Sequence, residues 1–315
     1  MDVRQLRAFL TVATTGSVTK AATLIDQAQP AVSRQIRLLE EEVGQALFVR
    51  TRWGVELTEA GQTLLGYARR ALEQLDRARE ALAADEDTLA GVVTVGLPPS
   101  TIERLAALLT LKVRARHPGI VLRFVSGYSG RLEQWLQSGE LDVALVQHAM
   151  RPLESGAQPL LEEPLWAVGP ASAGLSPTQP IDAQAFLGHP LVLPSAAHVI
   201  RARMEELAAQ QQCPLNVVAE ADAMAVQKSL AHAGVGFTVL PASVVQDELQ
   251  RGWLSATPFA GEGLKRTLGI ATSPTQPPGK AARHVATALS ACVASLVAQG
   301  QWPGARWLGE EGMPS

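Results

Sequence analysis

Gln29, Ser33 and Arg34 follow one another at intervals of four and one around Pro30, which places them on one face near the start of a helix. A glutamine amide pairs with an adenine edge and a guanidinium with a guanine edge in the major groove, while Pro30 or Ala31 suits a thymine methyl. Arg50 and Arg52 bracket Thr51 just before Trp53-Gly54, between the short apolar runs Leu47-Phe48 and Val55 to Leu57. Two cations at a hairpin tip suit phosphates or a minor groove. The same residue types also sit on plain solvated helices. Residues 1–58 hold seven Lys/Arg against six Asp/Glu, a weak electrostatic footprint, so the residue types alone leave base reading and a protein-interaction module both open.

A second set of polar residues lies downstream, at the ends of strand-like runs. Pro98-Pro99-Ser100-Thr101, Ser126-Gly127-Tyr128-Ser129, Pro194-Ser195 and Gln147-His148 follow such runs. In open α/β sheets ligands gather at these carboxyl ends, beside helix N-termini that favour anions. Ser100, Thr101, Ser129, Gln147, His148, Ser195 and His198 are therefore the expected lining of a site for a small, carboxylate-bearing molecule. The competing reading is that Ser and Thr only cap helices there. Arg201 suits a ligand anion or a neighbouring acid, and the structural pairing is favoured.

Catalytic and metal chemistry find little support. Gly127-Tyr128-Ser129-Gly130 misses the nucleophile-elbow pattern because Arg131 stands where its final glycine belongs. The six histidines show no paired metal spacing, and Cys213 and Cys292 form neither a disulfide framework nor a thiolate cluster. No phosphate-loop sequence occurs. The chain is expected not to be an enzyme and to need no metal or cofactor.

The elements that must hold these residues can be read from caps and periodicity. Asp2 with Gln5 forms a capping pair ahead of Val3, Leu6, Phe9, Leu10 and Ala13, an apolar stripe at helical spacing. Gly16 stops that helix and Ser17 caps the next; Gln29-Pro30 opens a third, ending at Gly44. Short helix, tight turn and polar-faced helix make a helix-turn-helix, with the hairpin after it as a wing. Thr58 then caps a helix from Glu59 whose seam, Leu64, Ala68, Ala71, Leu75, Ala78 and Leu82, alternates steps of four and three and calls for a second helix against it. That seam predicts dimerisation; packing on the chain's own downstream domain is the alternative.

Composition divides near residue 90. Pro30 is the only proline before it, with the other 19 of 20 after it, and 21 of 26 glycines also follow. Helix interiors exclude proline, whereas alternating strands and helices are punctuated by Gly and Pro. Strand-like runs at Gly91–Leu97, Ile120–Val125, Leu141–Val146, Leu165–Val168, Leu191–Leu193, Val217–Ala219, Gly236–Leu240 and Thr267–Ala271 alternate with helical stretches, which predicts an α/β fold with a largely parallel sheet. Of 315 residues, 47% are hydrophobic and net charge is −3, enough apolar material for a real core and too little charge to announce a partner. Met1-Asp2-Val3-Arg4-Gln5 lacks the apolar region of an export signal, and no apolar run is expected to reach a membrane span, so a soluble, cytoplasmic protein is expected.

The order of residues is more specific than their types. Phe9, Gly16-Ser17, Ala21-Ala22, Leu24, Gln29-Pro30-Ala31-Val32-Ser33, Ile36, Leu39-Glu40, Gly44, Leu47-Phe48, Arg50, Leu57-Thr58 and Ala60-Gly61 together resemble the LysR-type transcriptional regulators over residues 1–61 without a gap. The resemblance implies a winged helix-turn-helix with the helix from Pro30 to Val43 in the major groove, then a two-lobed sensor of the type II periplasmic-binding-protein fold. It implies double-stranded DNA as partner, dimers or tetramers, a possible small-molecule effector, and contact with RNA polymerase. Thr19 and Lys20, which complete the DNA-binding set, fill positions where the family often has an aromatic and another polar residue. Trp53 replaces a small or basic wing residue.

The expected division is 1–58 for the DNA-binding domain, 59–90 for the linker helix, 91–300 for the sensor and 301–315 for a tail docked on its surface. One lobe spans about 91–163 and 270–300 and the other about 168–264, with crossings near Glu163–Val168 and Leu264–Ile270. Leu191–Pro194, Arg201 and the run from Gly234 to Pro241 are similar in spacing to the nitrogen-assimilation-control branch. The rival readings are a small-molecule binding protein whose N-terminal helices only oligomerise, and an acyl-transfer enzyme using Ser129.

Overall fold

The computed structural model describes residues 1–52, 54–82, 89–148, 157–196, 198–261, 263–273 and 277–309, except for the side chains of 73, 76, 77, 79–82 and 148. The chain divides into two compact units, Met1–Asp85 and Glu86–Ser315.

In the first unit, α1 (Val3–Thr15), α2 (Val18–Leu24) and α3 (Gln29–Val43) precede a hairpin of β1 (Phe48–Thr51) and β2 (Gly54–Leu57), and α4 (Glu59–Leu82) follows. The predicted caps are present: Asp2 and Gln5 form a reciprocal capping box, and Gly16 and Gly44 close α1 and α3 at φ 62° and 74°, left-handed values that favour glycine. Leu6, Phe9, Val12, Val32, Leu39 and Leu47 are buried together, with the Phe9 and Phe48 rings 5.3 Å apart. The Glu40 carboxylate accepts the N–H groups of Leu47 and Phe48, tying α3 to the wing.

The seam of α4 does not act as one stripe. Ala68 is buried and Leu64 packs beside it, both within this unit's own core with Leu65 and Leu72. Gly61 permits the close approach, because a Cβ there would lie 2.2 Å from the Leu47 carbonyl oxygen. Leu64 and Ala68 are thus corrected from partner-facing to core residues. Ala71, Leu75 and Ala78 are exposed, and the Leu82 side chain lies outside the described residues.

The second unit runs β3 (Ala90–Leu97), α5 (Pro99–Arg116), β4 (Gly119–Ser126), α6 (Ser129–Gln137), β5 (Val143–His148) and β6 (Gln158–Pro170). It continues through α7 (Ala183–Leu187), β7 (Leu191–Leu193), α8 (Val199–Gln210), β8 (Val217–Glu220), α9 (Met224–His232), β9 (Thr238–Pro241), α10 (Gln246–Gln250) and β10 (Leu254–Pro258). It ends with β11 (Leu264–Thr272), α11 (Lys280–Ala298) and β12 (Arg306–Trp307). The main sheet has the order β10-β6-β11-β5-β3-β4, with β9 and β12 also on β6. β3 is parallel to β4 and β5, and β7 to β8, but every pair involving β6 or β11 is antiparallel. The sheet is therefore mixed rather than largely parallel, because two long strands carry the chain out and back.

β6 feeds two separate cores. Leu160 and Leu161 pack with β3, α5 and α11, whereas Leu165 and Ala167 pack with Phe186, Met204 and Phe259. Two lobes result, joined by β6 and β11, with Glu163 and Arg266 opposite each other at the junction. By length and mean hydropathy (1.4) α11 passes for a membrane span, which the expectation of no such run missed. Its apolar face is instead taken up by the first lobe's core, through Val285, Leu289, Val293 and others. Residues 301–309 are not a docked tail either: Trp302 is buried in that core and β12 extends the sheet.

Candidate functional site

The polar edge of the first unit is built by α3. Pro30 sits in its first turn, where a missing N–H removes no helical bond, and Val32, Ile36 and Leu39 turn inward. The opposite face is thereby left to polar residues. Gln29, Pro30, Ala31 and Arg34 are exposed, and Ser33 is half-buried. The Gln29 amide donates to Ser33 Oγ at 2.9 Å, so the two form one pre-set polar group. Thr19 and Lys20 are exposed on α2, whose N-cap Ser17 accepts the Lys20 N–H. Arg50 and Arg52 are exposed on the wing. The wing is held in place by the Val55 N–H, which donates to the Gly16 carbonyl at 3.0 Å. Residue 53 lies outside the described residues.

In the second unit a cleft of about 60 Å³ lies between the lobes. First-turn residues of α5 (Pro99, Ser100), α6 (Ser129, Gly130), α8 (Val199, Ile200) and α9 (Met224, Gln227) all line it. Four helix N-termini, each with positive partial charge, thus converge on one space. No side chain caps α5, α6 or α9. At the junction the Arg266 guanidinium donates to Glu163 Oε1 (2.8 Å from Nε) and to Ser100 Oγ (2.8 Å). The other Glu163 oxygen accepts from Ser243 at 3.0 Å and from the Trp302 indole at 2.8 Å, so this fully buried carboxylate is satisfied.

Of the residues expected in this cleft, Ser100, Ser129, Gln147 and His198 line it and others do not. Thr101 is fully buried because the third residue of α5 turns toward the core, and its hydroxyl donates to the Pro98 carbonyl. Ser195 stands outside, its N–H donating to Asp222 Oδ1 at 2.8 Å. His148 ends β5 opposite Thr267, and its side chain lies outside the described residues. Ser129 Oγ accepts the Gln147 N–H at 2.8 Å, so this hydroxyl braces α6 on β5 rather than capping a helix. His198 caps α8 through Nδ1, which accepts the Ile200 N–H. Arg201 pairs with Glu205 and Glu220 and donates to the Pro194 carbonyl, the structural role favoured above.

Sequence reading missed Arg266, Tyr128 and Asp222 in the lining. The available signal was the charged pair Lys265-Arg266 near the start of a strand whose later residues are mostly apolar. The Tyr128 hydroxyl donates to the Asp222 carbonyl, and its ring meets His198 edge-on at 4.6 Å. The bonds from Ser195 hold the Asp222 carboxyl below its ordinary range. Burial holds His198 below the usual imidazole value, with Asp222 opposing and Arg266 adding to the shift.

Residues 3–62 match the family described as bacterial regulatory helix-turn-helix protein, lysR family, and residues 86–292 match the LysR substrate binding domain. The chain is 30% identical over 304 residues to the HTH-type transcriptional regulator BbuR of Bordetella bronchiseptica, covering 96% of this chain and 94% of the relative. It is 31% identical over 273 residues to the nitrogen assimilation regulatory protein nac of Klebsiella aerogenes, covering 86% and 88%. These two similarities are alike, so they do not single out the nitrogen branch. A full-length OxyR variant from Pseudomonas aeruginosa superimposes with a TM-score of 0.67 at 26% identity, covering 93% of this chain and 98% of that one. CbnR solved with its target DNA shares the fold at a TM-score of 0.68 and 20% identity, covering 94% and 99%. A capped trihelical module with a wing, a two-lobed domain around a cleft of helix N-termini, and these matches over both units agree: the chain belongs to the LysR-type transcriptional regulators.

Proposed function

We propose that this LysR-type, DNA-binding transcriptional regulator reads base edges with Gln29, Ser33 and Arg34, and holds phosphates or the minor groove with Arg50 and Arg52. Thr19 and Lys20 add contacts from α2. The protein works in the cytoplasm as a homodimer or tetramer, joined through the exposed part of α4 at Ala71, Leu75 and Ala78, and acts on RNA polymerase at promoters. Its cleft takes a small anion, and a carboxylate-bearing effector is the class that fits.

The observation that carries the cleft reading is the convergence of four helix N-termini, three of them without a side-chain cap, on one space beside Arg266. Its volume of about 60 Å³ admits only a group of a few heavy atoms, well below the roughly 300 Å³ of an ordinary ligand pocket. A larger effector therefore needs the lobes to part about β6 and β11. Titration calorimetry against a panel of small carboxylates tests this. Ser100→Ala and Ser129→Ala are expected to weaken binding, and unchanged affinity in both would remove the effector from the cleft. Selection of bound sequences from random DNA tests the other half. Two half-sites with a fixed spacing are expected, and absence of any sequence preference would reject base reading.

A further inference from the structure

At the far end of α5 from the cleft, on the order of 27 Å away at 1.5 Å per residue, lies a second concavity of about 430 Å³. Its walls are Arg116, His117, Lys280, Arg283, His284 and Thr287, with Leu89 closing one side. The four α11 residues follow at steps of three, one and three, which sets them on one face of its first two turns. No side chain caps α11, which starts after Gly279, so its amides add positive charge to three permanent cations. None of the described lining residues is acidic.

His117 supplies an independent sign of a ligand. It is only 7% exposed, yet among the described residues neither ring nitrogen has a hydrogen-bond partner. The ring meets His284 edge-on at 4.2 Å. A buried imidazole left unpaired is costly and calls for an explanation. Arg116, Lys280 and Arg283 would repel a metal cation, and among the described residues no set of three metal-ligating side chains occurs. A recess with a buried ring in its wall fits a compact group better than an extended duplex backbone. The charge and the unpaired donors suit a compact anion with several acceptor oxygens.

We propose that this cavity is a second ligand site, separate from the cleft, which binds a small phosphate-bearing anion. Arg116 and Lys280 supply charge, as does Arg283, which also donates to the Pro278 carbonyl. The Thr287 hydroxyl, the first amides of α11 and the His284 imidazole donate to the phosphate oxygens, and the His117 ring, whose nitrogens are covered in the free protein, turns to join them. Burial, His117 and Arg116 hold the His284 imidazole below its ordinary value in the free protein. A phosphate dianion favours the protonated His284, so binding takes up a proton at pH values where the free phosphate is already dianionic.

Calorimetry of the full chain with inorganic phosphate, at constant ionic strength and in two buffers of different ionisation heat, tests the site. Saturable binding with proton uptake is expected, weakened roughly tenfold by Arg116→Gln and by Lys280→Gln. The same titration with glucose 6-phosphate distinguishes the source: tighter binding points to a phosphorylated metabolite, equal binding to the free ion, and either supports the site. Asp85-Glu86-Asp87 lies outside the described residues, so a chain carrying Asp85→Asn, Glu86→Gln and Asp87→Asn is titrated in parallel, where an internal acid cannot compete. No saturation in either chain overturns the proposal. So does unchanged phosphate affinity in both charge variants, or an Arg116→Gln effect confined to DNA affinity.

Discussion

Arg34 projects from the second turn of α3, and Arg50 from the first strand of the wing, both exposed to solvent. Their positions imply different signatures. Arg34→Ala is expected to cost about 1–3 kcal/mol against the preferred site and to relax preference at one base pair, read by competition against single-base variants. Arg50→Ala is expected to weaken all sequences alike and to lower the salt dependence of binding by about one phosphate contact, read by gel shift across salt concentrations. Titration adds a separate handle. His198 and His284 are both held below their ordinary value, chiefly by burial. The unfolded chain therefore takes up protons first, and the stability carried by the neutral rings is present above about pH 6.5 and lost as the pH falls below it. Melting temperature should drop from pH 7 towards pH 5, and His198→Gln should flatten that drop. At this scale the exposed polar face of α3 was legible because such residues keep the helical spacing of their own segment. Arg266 was not, because its role depends on Glu163, 103 positions away.

The longest helix of the first unit shows how one periodic stripe can serve two surfaces. Ala68 is fixed in the helix-turn-helix core, while Leu75, two turns on, is 41% exposed. Leu75→Glu is expected to shift the protein toward monomer in sedimentation velocity and to leave the melting of the first unit unchanged. Ala68→Glu is expected to unfold that unit, because it buries an unpaired charge. If Leu75→Glu keeps the parent assembly, α4 is not the dimer contact. The stripe itself was legible as a run of steps of four and three. Its division was not, because spacing shows that residues share a face without showing what covers it. The same limit explains β10 and α10: Leu254–Pro258 and Gln246–Gln250 are too short to carry a period of their own.

Across the whole sensor unit, Glu163 is where separate parts of the chain meet. It is reached by Arg266 from the returning strand, by Ser243 from the second lobe, and by Trp302 after the last long helix. Arg104 binds the same region, donating to the carbonyls of Ser243 and Gln301. Trp302→Phe keeps most of the ring packing but removes the indole N–H from a buried carboxylate. It is expected to lower sensor stability by about 1.5–3 kcal/mol in denaturant unfolding. A loss below about 0.5 kcal/mol would show that Glu163 is satisfied without the indole.

Local pattern alone determined the caps, the helix-turn-helix, the wing and the alternation of strands and helices, whereas the crossings between lobes were implied by the family resemblance. The local features follow from glycine, proline and apolar spacing, which act on neighbours in the chain. Tertiary structure alone decided that the sheet is mixed, that Thr101 turns inward while Arg266 faces the cleft, that Trp302 belongs to the core, and that two histidines from α11 and the end of α5 share one recess. Each of those depends on groups far apart in sequence, whose energies appear only when burial removes water and brings them within reach.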